Sequence, residues 1–364
     1  MVEGRLNSPH IRFYISDYGY GHAARSIALI RALRKDLNAT VSIRTKTAAD
    51  FVRRSLPECA VFFGQNDIGT VMYKNSLTVD PFETERELEQ WIDSWDDFVA
   101  EECLFCRDHG VDLIVSDITP QAFLVSEHLR IPGVGFSNFT WELIFRNLYG
   151  NSPEVNQIRD AYRSADLALV LPFHEPMNAF QNRISVPLVC RRSTRLRDAM
   201  RRQFGIGAGE KLVYLGSGFS VQMIPDCLGK LAYAGVKVLV SGNVPVQMEG
   251  VVRIPDADVE TQDYLSMCDL VITKPGYSTV SEAISAGVPL LVYGREGFAE
   301  DSYIIDPMVR NGFGRALSYD DLSSGEWINE ISSLFSLKDA YASCSDMFKT
   351  DGTDMCIQYI GSYL

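Results

Sequence analysis

Two widely separated stretches of the chain are built alike. Ile15-Ser-Asp-Tyr-Gly19-Tyr-Gly21-His22-Ala-Ala-Arg25 runs from an apolar, strand-like segment through a glycine turn into an amphipathic helix. Leu270-Val-Ile-Thr-Lys274-Pro-Gly276-Tyr277-Ser278-Thr279-Val-Ser-Glu282 repeats that plan in the other half. A strand that ends in a glycine turn and feeds a helix aims bare backbone N–H groups and the positive end of the helix dipole at one point, an arrangement suited to phosphate. One such turn is a weak signal. Two, one with a histidine in the first helical turn and the other with a glutamate one turn in, predict two α/β domains whose cleft handles a nucleotide-linked substrate.

Strand and helix signals alternate through all 364 residues, which favours parallel sheets covered by helices. Strands are expected at Ile11 to Ser16, Thr40 to Arg44, Val61 to Phe63, Leu113 to Ser116, Val134 to Phe136 and Leu167 to Leu171. They resume at Leu212 to Leu215, Val236 to Val240, Val251 to Ile254, Leu270 to Thr273, Pro289 to Val292 and Gly314 to Leu317. The expected fold is thus two tandem Rossmann-like domains, residues 1–180 and 181–350, with 351–364 a helix packing back on the first. The segment from Pro172 to Arg202, broken by Pro172, Pro176 and Pro187, reads as the connection.

With 46% hydrophobic and 22% charged residues the chain is ordinary for a globular protein. A net charge of −13 argues against nucleic acid as a partner. No run of residues is apolar enough for a membrane span and the N-terminus lacks a secretory pattern, so a cytoplasmic location is expected, with peripheral membrane contact left open and oligomeric state unread. The acid is concentrated around Glu83, Glu85, Glu87, Glu89, Asp93, Asp96, Asp97, Glu101 and Glu102. It reads as a solvated helix face with Leu88, Trp91, Trp95, Phe98 and Val99 turned inward. Arg191, Arg192, Arg195, Arg197, Arg201 and Arg202 form a basic run. The eight cysteines read mostly as buried thiols; Cys103 and Cys106 have redox-motif spacing but lie inside a helical pattern.

Gly19-Tyr-Gly21-His22-Ala-Ala24 matches the dinucleotide fingerprint, yet the second strand ends Ile43-Arg44-Thr45-Lys46 with no acid to hold a ribose, which argues against NAD. His22, at the first turn of a helix, is placed to accept a proton, or else to cap the helix. Asp117, at the C-terminal end of a strand, is placed to fix its tautomer, or else to cap the helix after Pro120. Ser278 and Thr279 are expected to cap the second helix, with Glu282 exposed and able to accept two hydrogen bonds from a ribose diol, or to close a capping box with Thr279. Gly216-Ser217-Gly218 is a further flexible turn at a strand end. Asp256 and Asp258 resemble a metal-holding acidic pair but lie in a loop leading to a helix; no metal and no cofactor are expected.

These residues resemble GT-B glycosyltransferases of the group containing the MurG-type N-acetylglucosaminyltransferases. The chain is more similar still to the glycosyltransferase-like N-terminal part of plant L-arabinokinases. Lys274 to Ala283, Gly287-Val-Pro289 and Arg295 to Glu300 carry most of the likeness, and Gly21-His22 with Arg25 matches the first-domain motif. The resemblance implies that Gly276, Tyr277, Ser278 and Thr279, beside Lys274, cradle a donor diphosphate. It places Glu282 at the ribose and the backbone near Ile254 at the base, with Arg295, Glu296, Phe298 and Glu300 facing the donor sugar. His22 would be the catalytic base, and Gly19, Gly21 and Arg25 would line the loop near phosphate or acceptor. The expected activity is inverting, metal-independent transfer from a nucleoside-diphosphate sugar, UDP-linked, to an acceptor hydroxyl. The alternatives are a nucleotide-sugar hydrolase resembling the UDP-sugar hydrolase of pseudaminic acid synthesis, and a non-catalytic nucleotide-sugar sensor. The first loop is poorer in glycine than that of the cell-wall enzymes, which speaks against a lipid-pyrophosphate acceptor.

Overall fold

The computed structural model describes residues 8–74, 78–216, 224–242, 244, 248–295, 298–337 and 346–364. The chain divides into two compact units: residues 1–189 with 297–300 and 350–364, and residues 190–296 with 301–349. In the first unit the order is β1 (His10–Ile15), α1 (Tyr20–Asp36), β2 (Thr40–Thr45), α2 (Ala49–Ser55), β3 (Ala60–Phe63), α3 (Pro81–Asp93), α4 (Trp95–His109), β4 (Leu113–Asp117), α5 (Gln121–Leu129), β5 (Gly133–Ser137), α6 (Trp141–Tyr149), α7 (Pro153–Arg163), β6 (Leu167–Val170) and β7 (Arg183–Ser185). The second holds α8 (Arg197–Gln203), β8 (Lys211–Gly216), α9 (Ile224–Tyr233), β9 (Val236–Val240), β10 (Val251–Arg253), α10 (Thr261–Ser266), β11 (Leu270–Thr273), α11 (Tyr277–Ser285) and β12 (Leu290–Tyr293). It continues through α12 (Glu300–Arg310), β13 (Gly314–Leu317), α13 (Tyr319–Ser324), α14 (Ile331–Phe335) and α15 (Asp346–Lys349), and α16 (Thr353–Gly361) then rejoins the first unit.

Each unit is a wholly parallel sheet, of order β3-β2-β1-β4-β5-β6-β7 in the first and β10-β9-β8-β11-β12-β13 in the second. The inner strands read as near-continuous apolar runs because helices cover both faces. In both sheets the chain moves outward from one central strand and then returns to its other side, between β1 and β4 and between β8 and β11. At such a reversal the two following loops part and leave a crevice at the C-terminal strand ends. His22 and Asp117 flank the first reversal, Gly216 and Gly276 the second.

Two elements differ from expectation. Within the segment read as a connection, residues 183–185 form β7 and pair parallel with β6. A three-residue edge strand is too short to show periodicity beside its prolines. The acidic stretch is two helices meeting at Ser94, with Leu88, Trp91, Trp95 and Phe98 buried as expected and Val99 packed against the core. Glu102, however, is not on the solvated face. It is 1% exposed and accepts hydrogen bonds from Arg12 (2.9 Å), the Tyr14 hydroxyl (2.7 Å) and Arg44 (2.8 Å). Arg12 and Tyr14 project from one face of β1, so a single carboxylate on α4 meets both. Cys103 and Cys106 are buried free thiols, and burial pushes Cys106 up to about 12.

Burial works against the ionised form of Glu102, but Arg12 first, with Tyr14 and Arg44, together more than offset it and hold the carboxyl below its usual range. Its contribution to stability is therefore present above the unfolded-state value and lost as pH falls through the lowered folded one. Glu102→Ala, which strands the buried Arg12 guanidinium and leaves Arg44 with Glu101 at 3.0 Å, is expected to cost about 3–5 kcal/mol in urea unfolding at neutral pH. The gap to wild type should narrow on acidification, and a gap independent of pH would show that lost packing, not charge, sets the cost.

Candidate functional site

In the first unit the site begins with the loop from β1 to α1. Gly19 is the N-cap of α1 at φ 94°, in the region that glycine alone adopts freely, and its N–H donates to the Asp17 carbonyl at 2.9 Å. Asp17 anchors the loop, its carboxylate accepting the N–H groups of Lys46 (2.7 Å), Thr47 (2.9 Å) and Asn66 (2.7 Å). Beside it, burial and then the Asp17 charge push Asp67 up to about 7, while Trp141 donates its indole N–H at 3.0 Å. Asp67 went unread in the sequence because its loop carries no periodic signal and its glycines, Gly64 and Gly69, do not lead from a strand directly into a helix.

This turn delivers His22 to the first turn of α1, where it makes no cap to the backbone. Its Nδ1 lies 3.2 Å from both oxygens of Asp117. Asp117 is fully buried at the end of β4, and α5 begins only at Gln121 without a side-chain cap, so the capping alternative for Asp117 does not hold. Arg25, one helical turn beyond His22, grips the carboxylate with Nε (3.2 Å) and Nη2, and Ser26 Oγ adds a bond at 3.2 Å. Burial disfavours the charge on Asp117, but Arg25 and then His22 more than offset this and hold it below the ordinary carboxylate range. Arg25 Nη2 also donates to Ser137 Oγ at 3.2 Å. Nη2 also lies 2.9 Å from His22 Nδ1, and in the tautomer protonated on Nδ1 that proton faces Asp117. Nε2 has no hydrogen bond among the described residues and is the nitrogen that tautomer leaves with a lone pair.

Asn138 completes the arrangement. Its Oδ1 accepts from Arg25 Nη1 at 2.5 Å, and its Nδ2 donates to Glu300 Oε1 at 3.0 Å and to the Phe173 carbonyl at 3.3 Å. Asn138 was not singled out in the sequence, although its place just past the C-terminal end of β5 is the same kind of position as that of Asp117. Ile118, immediately after Asp117, sits at φ 59°, which is costly for a β-branched residue, and its carbonyl accepts the Tyr162 hydroxyl at 2.5 Å. Glu300 and Phe298, expected at a donor sugar, are buried in the first unit, Phe298 stacking on Tyr18 with ring centroids 5.5 Å apart.

In the second unit Gly276 is the N-cap of α11. Its φ of −86° is open to any residue, and a Cβ there would meet nothing within 4 Å. The expected tight turn is present, the Gly276 N–H donating to the Lys274 carbonyl at 2.7 Å, but neither the backbone angle nor the neighbours demand glycine there. Ser278 and Thr279 do not cap it: α11 has no side-chain cap, so the capping box is absent as well. Tyr277 and Ser278 are buried, Lys274 and Thr279 half-buried. Glu282 departs from expectation. Instead of facing solvent it is 4% exposed and accepts Arg191 Nε at 2.8 Å, while Arg191 also donates to the Val259 carbonyl and Thr261. Burial raises the Glu282 carboxyl by more than Arg191 lowers it.

Gly216 ends β8 against Thr273 of β11 and its carbonyl accepts the Tyr293 hydroxyl at 3.1 Å. Ser217, Gly218 and Glu296 lie outside the described residues. Ile254 is buried, and its N–H is committed to the Val240 carbonyl at 3.0 Å. Arg295 is held by Asp301 through Nε at 3.1 Å and through its backbone N–H at 2.5 Å. Asp258 accepts from the Tyr264 hydroxyl (2.7 Å) and the Glu260 N–H (3.1 Å) and so has a structural use, and Asp256 is exposed. Among the described residues no group of three or more potential metal ligands comes together and no helix is long and apolar enough to cross a membrane.

The architecture has counterparts among solved structures. The glycosyltransferase VinC in complex with dTDP aligns with a TM-score of 0.66 at 16% identity, covering 97% of this chain and 99% of that one. Phytolacca americana UGT2, complexed with UDP-2-fluoroglucose and pterostilbene, aligns at 0.68 and 14%, again covering 97% and 99%. The chain therefore has the GT-B fold of glycosyltransferases. In sequence it is 28% identical over 357 residues to L-arabinokinase of Arabidopsis thaliana, an alignment covering 92% of this chain but 33% of that protein, so it spans about a third of that relative. A 78-residue stretch is 38% identical to an uncharacterized glycosyltransferase of Methanosarcina acetivorans, 21% of each chain. No family model matches the chain.

The Arg191 pair changes what a Glu282 variant reports. Glu282→Ala is expected to destabilise the protein by about 3–5 kcal/mol, the cost of stranding a buried guanidinium. Glu282→Gln, which keeps an acceptor for Arg191, should cost clearly less. Equal urea midpoints for wild type and both variants would show that Glu282 has no structural part.

Proposed function

We propose that the chain is an inverting, metal-independent glycosyltransferase that moves a sugar from a nucleoside-diphosphate sugar, UDP-linked in this reading, to an acceptor hydroxyl. The observation that carries it is the buried His22–Asp117 contact with Nε2 left without a hydrogen bond among the described residues. His22 Nε2 takes the acceptor proton, the oxygen attacks the anomeric carbon, and the bond from that carbon to the diphosphate breaks with inversion. Asp117 keeps its charge and stabilises the imidazolium that forms. The leaving diphosphate is assigned to the second unit, where the N-terminus of α11 at Gly276, with the dipole of that helix, the Tyr277 to Thr279 segment and Lys274, can take up the developing charge in place of a metal. A ribose would meet Glu282 through Oε2, the oxygen opposite the one that Arg191 holds. Bound nucleotides in related folds support this reading: dTDP in VinC, thymidine diphosphate in the spinosyn rhamnosyltransferase SpnG, and UDP-2-fluoroglucose in UGT2. A cytoplasmic location belongs to the same proposal.

A positioned base is worth about 10²–10⁴-fold in rate. His22→Asn and His22→Ala are expected to lower turnover of a nucleotide-sugar panel by about that factor, with UDP affinity in calorimetry nearly unchanged. Near-normal turnover in both variants would remove His22 as the base. In the same panel, sugar released to water in the presence of acceptors would make the protein a hydrolase, and tight binding without turnover a sensor.

Activity is expected to survive EDTA, since the α11 terminus supplies the electrostatic stabilisation that a metal otherwise gives. Loss on chelation with recovery in magnesium or manganese would overturn that part of the mechanism and turn attention to Asp256 and Asp258.

A further inference from the structure

The amide of Asn138 is held at both ends by opposite charges. Its Oδ1 faces the Arg25 guanidinium and its Nδ2 the Glu300 carboxylate, and it is itself fully buried. The two partners fix the amide's orientation, because Arg25 can only donate and a carboxylate can only accept. Arg25 in turn is bidentate on Asp117, and Asp117 meets His22 Nδ1. Glu300, Asn138, Arg25, Asp117 and His22 thus form an unbroken series of polar side chains, each at most 7% exposed. Shielded from water, such bonds polarise one another more strongly than they do in solvent.

We infer that Asn138 is a positioning residue: its amide ties Glu300 to Arg25, so that a hydroxyl-bearing ligand engaging Glu300 alters the hold of Arg25 on the His22–Asp117 pair. The assignment of a sugar hydroxyl as that ligand rests on the transferase reading; the coupling from Glu300 to His22 does not. Arg25 has five N–H groups, and four of them go to Asp117, Ser137 and Asn138. If Glu300 is drawn toward a ligand, Asn138 follows, and the guanidinium shifts its share of hydrogen bonding toward or away from Asp117. Sequence order hides this link: the five residues come from α1, the end of β4, the loop after β5 and the start of α12.

The coupling is read by the ring Cε1–H resonance of His22, identified among the five histidines with His22→Asn, in protein without ligand. Glu300→Gln is expected to move that resonance in the wild-type background and to leave it still in Asn138→Ala. No movement in wild type, or equal movement in both backgrounds, overturns the relay. Asn138→Asp, which keeps an acceptor for Arg25 but sets a carboxylate against Glu300, is expected to move it as well, and an unchanged resonance counts against the proposal. With a nucleotide sugar as substrate, Asn138→Ala and Asn138→Asp should lower kcat about ten- to hundredfold while donor KM stays within about twofold, the loss typical of a base slightly misplaced. If kcat holds, or falls only in step with the melting temperature, Asn138 merely packs. A wild type that turns over no nucleotide sugar defeats the transferase reading and leaves the resonance cycle to decide the relay.

Discussion

The ion pair of Asp117 and Arg25 organises the first unit. A carboxylate fully enclosed at the end of a central strand is tolerable only when its charge is matched, and the guanidinium one helical turn beyond His22 matches it in two places. The pairing needs α1 to enter at one angle, which the left-handed Gly19 and the Asp17 anchor set. It needs β1 and β4 in register, with Ile15 opposite Asp117. It also needs Ser137 and Asn138 delivered by β5 to occupy the rest of the guanidinium. Once these are met, the imidazole has one orientation left, with Nδ1 on the carboxylate.

The second unit uses the same principle without a histidine. Its basic run is consumed internally: Arg197 donates to the carbonyls of Ser266 and Cys268, Arg201 to that of Met267, and both reach Asp269, which also accepts the Leu212 N–H at 2.9 Å. Arg191 does the corresponding work for α11 through Glu282. Guanidinium groups thus fasten α8 and the segment before it to the end of α10 and the start of β11.

The inner strands were legible because a strand covered on both faces must be a short apolar run, and the two turns because glycine followed by a helical pattern is a local signal. What stayed hidden is pairing at a distance. A glutamate one turn into a helix reads the same whether it faces water or an arginine 91 positions away, and only the fold shows that Arg191 reaches Glu282. Glu102 was concealed in the same manner, one acid among many on an amphipathic helix until Arg12, Tyr14 and Arg44 are seen beneath it. His22 and Asp117 were readable singly, from a helix start and a strand end. Their contact was only a possibility until the sheet order placed β1 beside β4, and Asn138 had no mark beyond its place just past a strand end.

The return of α16 to the first unit bears on how the molecule is made. The helix lies against α1, Gly361 approaching Leu37, and the Gly352 N–H donates to the Leu188 carbonyl at 2.9 Å. A ribosome releases the seven strands of the first sheet long before it releases α16, so that unit must wait, with part of α1 uncovered, while the whole second unit emerges. The second unit, by contrast, lacks no later piece once residue 349 has cleared the exit tunnel. The helix that carries His22 therefore gains this neighbour only after the second unit has been synthesised.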